Sequence, residues 1–320
     1  MNKIAVLTSG GDAPGMNAAI RAVVRTACEN DMEVLGIRRG YKGLMSGDME
    51  KMNIRSVSDI IHRGGTMLYS ARSPEFQTEE GLNKAVEVCK ENGIEGIVVI
   101  GGDGSFRGAR DLSLKGVPCI GIPGTIDNDI ACCDYTIGYD TALNTIMDMV
   151  DRIRDTTESH DRCSVVEVMG RRAGYLALYA GIAIGATSIL IPEVPFDIEK
   201  DVIDRMRRTQ KTGKKHFIIM VAEGIGGVAD LAKLIQEKTG VESRATILGH
   251  VQRGGSPSVK DRVLGSQMGS RAVHLLMDGI GNRVVANKRD EIVDYDIYEA
   301  LNMKKQIDLD LYKTALEISI

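Results

Sequence analysis

Gly96-Ile-Val-Val-Ile-Gly-Gly-Asp-Gly-Ser-Phe-Arg-Gly108 is the stretch whose reading decides the fold. Val98, Val99 and Ile100 form an unbroken β-branched run, the pattern of a parallel strand buried on both faces. Gly101, Gly102 and Gly104 then let backbone approach a ligand closely. Ser105 follows, opening a segment able to start a helix, whose free N–H groups suit phosphate oxygens. Asp103, the lone carboxylate of the turn, suits Mg²⁺ carried on bound phosphates. No Gly-x-x-x-x-Gly-Lys-Ser/Thr run occurs in the chain, so the turn is not of the Walker type.

The same strand-then-turn order repeats on either side. Strands are predicted at Ile4–Thr8, Glu33–Ile37, Gly96–Ile100, Val117–Ile122, Ser164–Met169, Ser188–Pro192, Phe217–Ala222 and Thr246–Val251. Helical patterns fall at Met16–Glu29, Glu79–Asn92, Asp140–Arg154, Arg172–Ile184, Ile198–Thr212, Val228–Thr239 and Arg262–Asp278. This alternation predicts an α/β fold of doubly wound, largely parallel sheets covered on both faces. Ligands in such folds sit at the carboxyl ends of strands. Six segments rich in glycine, aspartate and arginine each follow a predicted strand: Ser9–Asn17, Gly101–Gly108, Gly124–Asp129, Gly170–Arg172, Glu223–Gly227 and His250–Ser256. A crossing into a second lobe is placed near Asp134–Asp140, with a return near His250 and a last crossing by the tail Lys304–Ile320.

Composition narrows the function classes. The 320 residues suffice for two modest domains, and 26% charged with 43% hydrophobic residues is an ordinary globular balance. With 40 Lys+Arg against 44 Asp+Glu, the chain lacks the basic surface of a nucleic-acid binder. No apolar run reaches the roughly 18 residues needed to span a bilayer, and Met1–Thr8 reads as a first strand, not a signal peptide. Cysteines 28, 89, 119, 132, 133 and 163 contain no C-x-x-C pair. Adjacent Cys132-Cys133 is poor geometry for a disulfide or a zinc site, so reduced thiols of a cytoplasmic protein are expected. The 15 methionines read as core filler.

Several motifs carry chemistry, each with a plainer alternative. Thr8–Asn17 is either a backbone cradle for phosphate or a tight turn in which Asp12 or Asn17 caps the next helix. In Pro123-Gly-Thr-Ile-Asp-Asn-Asp129 two carboxylates stand two residues apart. On extended backbone Asp127 and Asp129 would share a face, one taking a hydroxyl proton and the other orienting Mg²⁺ or its waters. The alternative is an Asx-rich turn.

Arg72 and Arg171 occupy glycine- or proline-bounded tips, and Arg162, Arg244 and Arg253 flank predicted strands. Guanidinium forks grip phosphate, so the five suit a phosphorylated substrate or a transferring phosphoryl group, and His250 and Arg253 can share one sugar phosphate. Singly, each reads as a surface ion pair. Arg21 and Arg25, four apart on the first helix, and Lys214-Lys215-His216 are either solvated charge or a second anion site.

Thr8–Asn17, Gly101–Ser105, Pro123–Asp129, Met169–Arg171 and Leu248–Ser256 together resemble the bacterial ATP-dependent 6-phosphofructokinases in order and spacing. The resemblance runs from residue 3 to the C-terminus, with about one inserted residue near Val194–Lys200. It implies two Rossmann-like three-layer α/β/α lobes with the active site in the cleft between them. The larger, ATP-binding lobe would span 1–138 plus about 251–303, and the smaller, sugar-binding lobe 139–250 plus about 304–320.

It further implies that Gly11, Arg72, Ser73, Gly102, Asp103, Gly104, Ser105 and Gly108 hold MgATP, with Asp103 on the metal. Thr125, Ile126, Asp127, Met169, Gly170, Arg171, Glu223, His250, Val251, Gln252 and Arg253 would hold fructose 6-phosphate. Arg162 and Arg244 would reach across from a neighbouring subunit of a homotetramer. Asp127 would be the base on the 1-hydroxyl, with Thr125 and Asp129 beside it, and Arg72 and Arg171 would neutralise the phosphoryl group in flight.

Arg21, Arg25, Arg154, Gly185, Lys214, Lys215 and His216 match the family's site for ADP and phosphoenolpyruvate. Thr187 stands where a glutamate is usual, Thr212 where a basic residue is, and Tyr175 where an acidic one is, which implies a weakened or altered ADP response. Cys132-Cys133 departs from the common Gly-Thr and carries no assignment. Gly104 and Gly124 resemble the ATP-using branch, since pyrophosphate-using relatives carry Asp and Lys there. The expected function is a glycolytic kinase. Its rivals are a pyrophosphate-dependent enzyme and a silent nucleotide-sensing subunit, which would have lost Asp103 or Asp127. A dinucleotide oxidoreductase is disfavoured because no Gly-x-Gly-x-x-Gly follows the first strand.

Overall fold

The computed structural model describes residues 1–319; Ile320, the last residue of the expected C-terminal crossing, lies outside them. In chain order the strands are β1 (Lys3–Thr8), β2 (Glu33–Ile37), β3 (Met49–Met52), β4 (Gly96–Gly101), β5 (Cys119–Pro123), β6 (Cys163–Val168), β7 (Ser188–Leu190), β8 (Phe217–Ala222), β9 (Ser243–Ile247), β10 (Arg283–Lys288) and β11 (Glu291–Asp296). The chain divides into two compact units. The first comprises Met1–Ile126, Ile130–Thr141 and Arg253–Lys305; the second comprises Asp127–Asp129, Ala142–Gln252 and the chain from Gln306 on. The three-residue excursion at Asp127–Asp129 is not among the crossings expected from sequence.

The first unit holds a seven-stranded sheet in the order β11-β10-β5-β4-β1-β2-β3. Its five central strands are parallel, with antiparallel β3 and β11 at the edges. β4 is buried at every residue, as its Gly-Ile-Val-Val-Ile-Gly run predicts. The chain moves one way across the sheet from β1 to β2 and the other way from β4 to β5, so right-handed crossovers put the two connecting helices on opposite faces. Accordingly the first helix, Met16–Glu29, packs on Val259–Met277, while Asp103–Leu114 packs with Glu79–Glu91 and Ile297–Asn302. The reversal between β1 and β4 is the switch point at which open α/β sheets bind ligands.

The second unit holds a parallel four-stranded sheet, β7-β8-β6-β9. Its core gathers Val165, Leu190, Met206, Phe217, Ile219, Val221 and Ile235. The segment Glu199–Ile203 is a wide π-type turn feeding the helix Asp204–Gln210, beside the expected insertion. Such turns fit an extra residue into a helix without breaking it.

Three sequence expectations need correction. The strand predicted at Thr246–Val251 lies at Ser243–Ile247, and Gly249–Arg253 is a 3₁₀ turn. Three strands, β3, β10 and β11, were not anticipated. Asp127–Asp129 is not extended: Asn128 is left-handed at φ 51°, so the shared face argued for the two carboxylates does not arise. All six glycine-, aspartate- and arginine-rich segments nevertheless follow the carboxyl end of a strand. The six cysteines are free, and burial pushes Cys119, Cys132 and Cys163 up to about 12, which leaves those thiols unreactive.

Candidate active site

In the first unit the tips of β1, β4 and β5 stand side by side because those strands are neighbours. Ser9 N donates to Ile100 O at 2.9 Å, and Gly124 N donates to Gly101 O at 2.9 Å. Gly101 is the pivot, since a Cβ there would lie 2.4 Å from both Ser9 O and Ser105 Oγ. Ser70 Oγ donates to Gly10 O at 2.6 Å, tying the segment that carries exposed Arg72 and half-buried Ser73 to the first turn.

The glycines of these turns fall into two kinds. At Gly102 and Gly104 an added Cβ would meet nothing within 4 Å, so packing within the chain does not explain them. They leave the start of the helix Asp103–Leu114 open, with its first N–H groups available to an anion. Gly108, expected at the nucleotide, is a buried residue of that helix. Its missing Cβ accommodates the Tyr41 ring at 2.7 Å, and Tyr41 donates to Ser105 O at 2.5 Å. Gly124 likewise has a packing reason, since a Cβ there would stand 3.0 Å from Met16 Cε and 3.1 Å from Ile100 Cγ2. Gly11 lies under Arg253, whose Nη1 would be 2.2 Å from a Cβ. Arg253 also lies 4.0 Å from Asp12, and its buried Nε has no hydrogen-bond partner among the described residues.

Asp103 is the first residue of its helix, about half exposed, with Arg107 Nε 2.9 Å from its carboxylate. Among the described residues no group of three or more His, Cys, Asp or Glu is placed to hold a metal. One accessible carboxylate beside a phosphate cradle fits Mg²⁺ nonetheless, because that ion takes one or two carboxylates and draws its other ligands from phosphate and water.

The second unit gathers the charged groups. Asp127 is 1% exposed and forms an ion pair with Arg171, whose Nε stands 3.1 Å from its Oδ2. Arg171 sits on a strained tip, with φ 55° after Gly170 at φ 134°. Glu223, one strand over, holds that tip by accepting Gly170 N at 3.2 Å and Arg171 N at 2.5 Å. Gln252, expected against substrate, is fully buried with its amide engaged by protein: its Oε1 accepts Met169 N at 3.1 Å and its Nε2 donates to Gly249 O at 2.9 Å. Its side chain braces the Met169 turn. His250 and Val251 are exposed.

Arg162 and Arg244 meet on one carboxylate that sequence reasoning overlooked, Glu242, at 3.0 and 2.9 Å. The guanidinium groups of Arg162 and then Arg244 beside it hold that carboxyl below its usual range. Of the residues assigned to an effector, Arg21 of the first unit is pushed down by burial and by Arg25 beside it. In the second unit Lys214 is pushed down by burial and by Arg154, whose guanidinium donates to Ile184 O. Lys215 lies 4.0 Å from Asp161, and Gly185 is left-handed at φ 61°. Thr187 is wholly buried. Tyr175 is also buried and is raised to about 12 by that burial and by Glu193.

Asn17 does not cap the first helix. It lies inside the first helix, 2% exposed, donating to Arg63 O and Gly64 O and accepting Met67 N at 2.8 Å. An amide at the second residue of a helix, followed by Ala-Ala-Ile, was the available signal for a buried brace.

Residues 3–276 match the phosphofructokinase family. The chain belongs to that family. It is 58% identical to the ATP-dependent 6-phosphofructokinase of Bacillus cytotoxicus and 59% identical to that of Bacillus mycoides, over the whole length of each chain. Among solved structures it is similar to phosphofructokinase from Saccharomyces cerevisiae, with a TM-score of 0.90 and 35% identity over all of this chain and 48% of that one. A pyrophosphate-dependent phosphofructokinase from Marinobacter aquaeolei shares the fold, with a TM-score of 0.87 at 23% identity, over 97% of this chain and 86% of that one. Among the described residues no helix of this phosphofructokinase-family chain is long and apolar enough to cross a membrane.

Proposed function

We propose that the chain is a 6-phosphofructokinase that transfers the γ-phosphoryl group of MgATP to the 1-hydroxyl of fructose 6-phosphate, giving fructose 1,6-bisphosphate and ADP. The observation that carries this reading is Asp127, a buried carboxylate just past a strand end and held by an arginine on a strained turn. Full-length likeness to ATP-dependent 6-phosphofructokinases supports it.

Asp127 accepts the proton of the 1-hydroxyl as that oxygen attacks the γ-phosphorus; the bond to the β–γ bridging oxygen breaks and ADP leaves. Thr125, two residues before the base, orients the hydroxyl, and Asp129 serves beside it. Arg171 and Arg72 spread positive charge over the transferring group. The backbone of Gly11 and Gly102–Ser105, with Ser73, cradles the nucleotide. Asp103 would hold Mg²⁺ carried on the nucleotide's phosphates, where the ion would supply neutralisation of their negative charge. Glu223 and Gln252 keep the Met169–Arg171 turn in shape for the sugar, and His250 and Arg253 bind its phosphate. Gly104 favours ATP over pyrophosphate as donor, because open space lies where a pyrophosphate-type aspartate would stand.

Arg162 and Arg244, gathered on Glu242 beside the edge strand β9, are assigned to a neighbouring subunit's sugar phosphate in a cytoplasmic homotetramer. The like-charged pairs Arg21–Arg25 and Arg154–Lys214 support an anion site for ADP or phosphoenolpyruvate. Buried Thr187 offers it no ligand, so its response to ADP is weakened or altered. Velocity at subsaturating fructose 6-phosphate, with and without ADP, tests this, and activation of the size usual in the family contradicts it. The activity itself is tested by ³¹P NMR of the product from MgATP and fructose 6-phosphate. A phosphate on O1 is expected; no turnover, or phosphate on another oxygen, overturns the reading.

A further inference from the structure

Asp261 is completely buried, three residues after Ser258, at the start of the helix Val259–Met277. Ser258 Oγ accepts Asp261 N at 3.3 Å, which is half of a capping box. In the usual box the residue at Asp261's position reaches back to the N–H of the capping serine. Here that N–H donates to Thr141 Oγ1 at 2.9 Å, and the carboxylate turns to another helix. Its Oδ1 accepts Gly138 N at 2.8 Å, and its Oδ2 accepts Thr141 N at 2.8 Å and Thr141 Oγ1 at 2.5 Å. Asp261 therefore caps the helix Tyr139–Ser159, supplying the negative charge that free N–H groups at a helix start favour.

The segment held in this way is bonded to the loop that leads to Asp127. Thr136 Oγ1 donates to Thr125 O at 2.6 Å, Ile137 N to Pro123 O at 2.9 Å, and Thr125 N to Ile137 O at 3.1 Å. The first phosphate turn abuts the same point, since a Cβ on Gly15 would lie 2.7 Å from Ile137 Cγ2 and 3.2 Å from Asp261 Cβ.

We propose that Asp261 is a positioning residue for phosphoryl transfer: its carboxylate fixes the start of Tyr139–Ser159 and, through Thr136 and Ile137, the Pro123–Thr125 segment that delivers Asp127. This rests on the reading that Thr125 and Asp127 meet the sugar. Misplacing a reacting group by about 1 Å costs on the order of 10²-fold in rate. The turn Gly102–Ser105 assigned to the nucleotide has no hydrogen bond to Asp261, so the shape of that turn does not depend on its carboxylate.

The test uses full-length Asp261→Asn, Thr141→Val and Thr141→Ser. An asparagine amide turns an NH₂ toward donors whichever way it is flipped, valine removes the hydroxyl, and serine keeps it. For Asp261→Asn and Thr141→Val, kcat falls roughly 10–100-fold with KM for ATP within about twofold. Thr141→Ser stays within about threefold of the parent. Amide hydrogen exchange at Thr125 and Ile137 rises about tenfold or more in the first two variants, while exchange in β4 is unchanged. If Asp261→Asn does not fold, the Thr141 pair carries the comparison. Unchanged kcat and exchange, equal losses in Thr141→Ser and Thr141→Val, or a loss tracking weakened ATP binding would overturn the proposal. Should the parent itself fail to phosphorylate fructose 6-phosphate, the functional reading falls, and the exchange data alone decide whether Asp261 holds the loop.

Discussion

Both sheets put glycine-bearing turns at the carboxyl ends of their parallel strands, but the glycines serve opposite purposes. In the first unit Gly102 and Gly104 face open space, and the nearest charged side chain, Asp103, is half exposed. In the second unit Gly170 and Gly224 are hemmed in by backbone, their absent Cβ atoms standing 2.5 Å from Ala173 O and 2.6 Å from Arg171 O. One set leaves room for something outside the chain. The other folds the chain tightly enough to hold Arg171, Glu223 and buried Asp127 together. Backbone N–H groups suit a polyphosphate, which needs many donors and little specificity. Proton transfer needs a fixed side chain, and there rigidity matters more than space.

The largest effect expected is at the rigid cluster. Asp127→Ser lowers kcat by about 10²–10⁴-fold with the fold retained, as loss of a general base should. Steady-state kcat with near-ultraviolet circular dichroism checks this, and a kcat within a few-fold of the parent would remove Asp127 from the chemistry.

A second prediction concerns pH. Burial, ahead of repulsion from Asp140, raises Asp261 from 3.8 to about 6, although bonds from Thr141 and Gly138 pull it down. Its other charged neighbours in sequence are engaged elsewhere: Lys260 lies 3.4 Å from the Tyr135 ring centroid, and Arg262 donates to Pro257 O and Ser256 Oγ. The folded chain then binds this proton more tightly than the unfolded chain, so the group's contribution to stability declines as pH rises from about 4 to about 6. Relative to Asp261→Asn, the parent loses about 3 kcal/mol across that window. Parallel Tm–pH curves for the two proteins, or a gap that moves the other way, would contradict it.

The two kinds of glycine can be separated directly. Gly170→Ala forces a left-handed, backbone-crowded position and destabilises by about 1–3 kcal/mol, read as a lower Tm. Gly104→Asp leaves Tm within about a degree but raises KM for ATP roughly tenfold, by setting a carboxylate against phosphate, with KM for fructose 6-phosphate within about twofold. If both substitutions lower Tm alike, the contrast between the turns is wrong.

Much of this was legible in the chain because buried parallel strands write themselves as apolar runs. β2 and β8 fall at their predicted bounds, and every chemistry-bearing turn follows a strand. The edge strands β3 and β11 were lost for a physical reason: they read Met-Glu-Lys-Met and Glu-Ile-Val-Asp-Tyr-Asp, whose charges suit an edge and blur the pattern. β10, paired on both sides, was lost because its short Val-Val-Ala run stands between Arg283 and Asn287-Lys288. β9 was displaced toward Val251 because its true residues, Ser-Arg-Ala-Thr-Ile, are half solvated. Glycine type could not be read at all. Gly104 and Gly108 look alike in sequence, yet one faces space and the other a tyrosine ring. Braces such as Asn17, Gln252 and Asp261 were hidden because their partners lie roughly 50 to 120 residues away.

The proposed function gives ATP an open backbone cradle and fructose 6-phosphate a rigid carboxylate–arginine pair. The initial rate of fructose 1,6-bisphosphate formation, measured with MgATP and again with pyrophosphate and Mg²⁺ in its place, tests it most directly. Turnover with ATP and none with pyrophosphate is predicted; equal or faster turnover with pyrophosphate, or none with either donor, would contradict it.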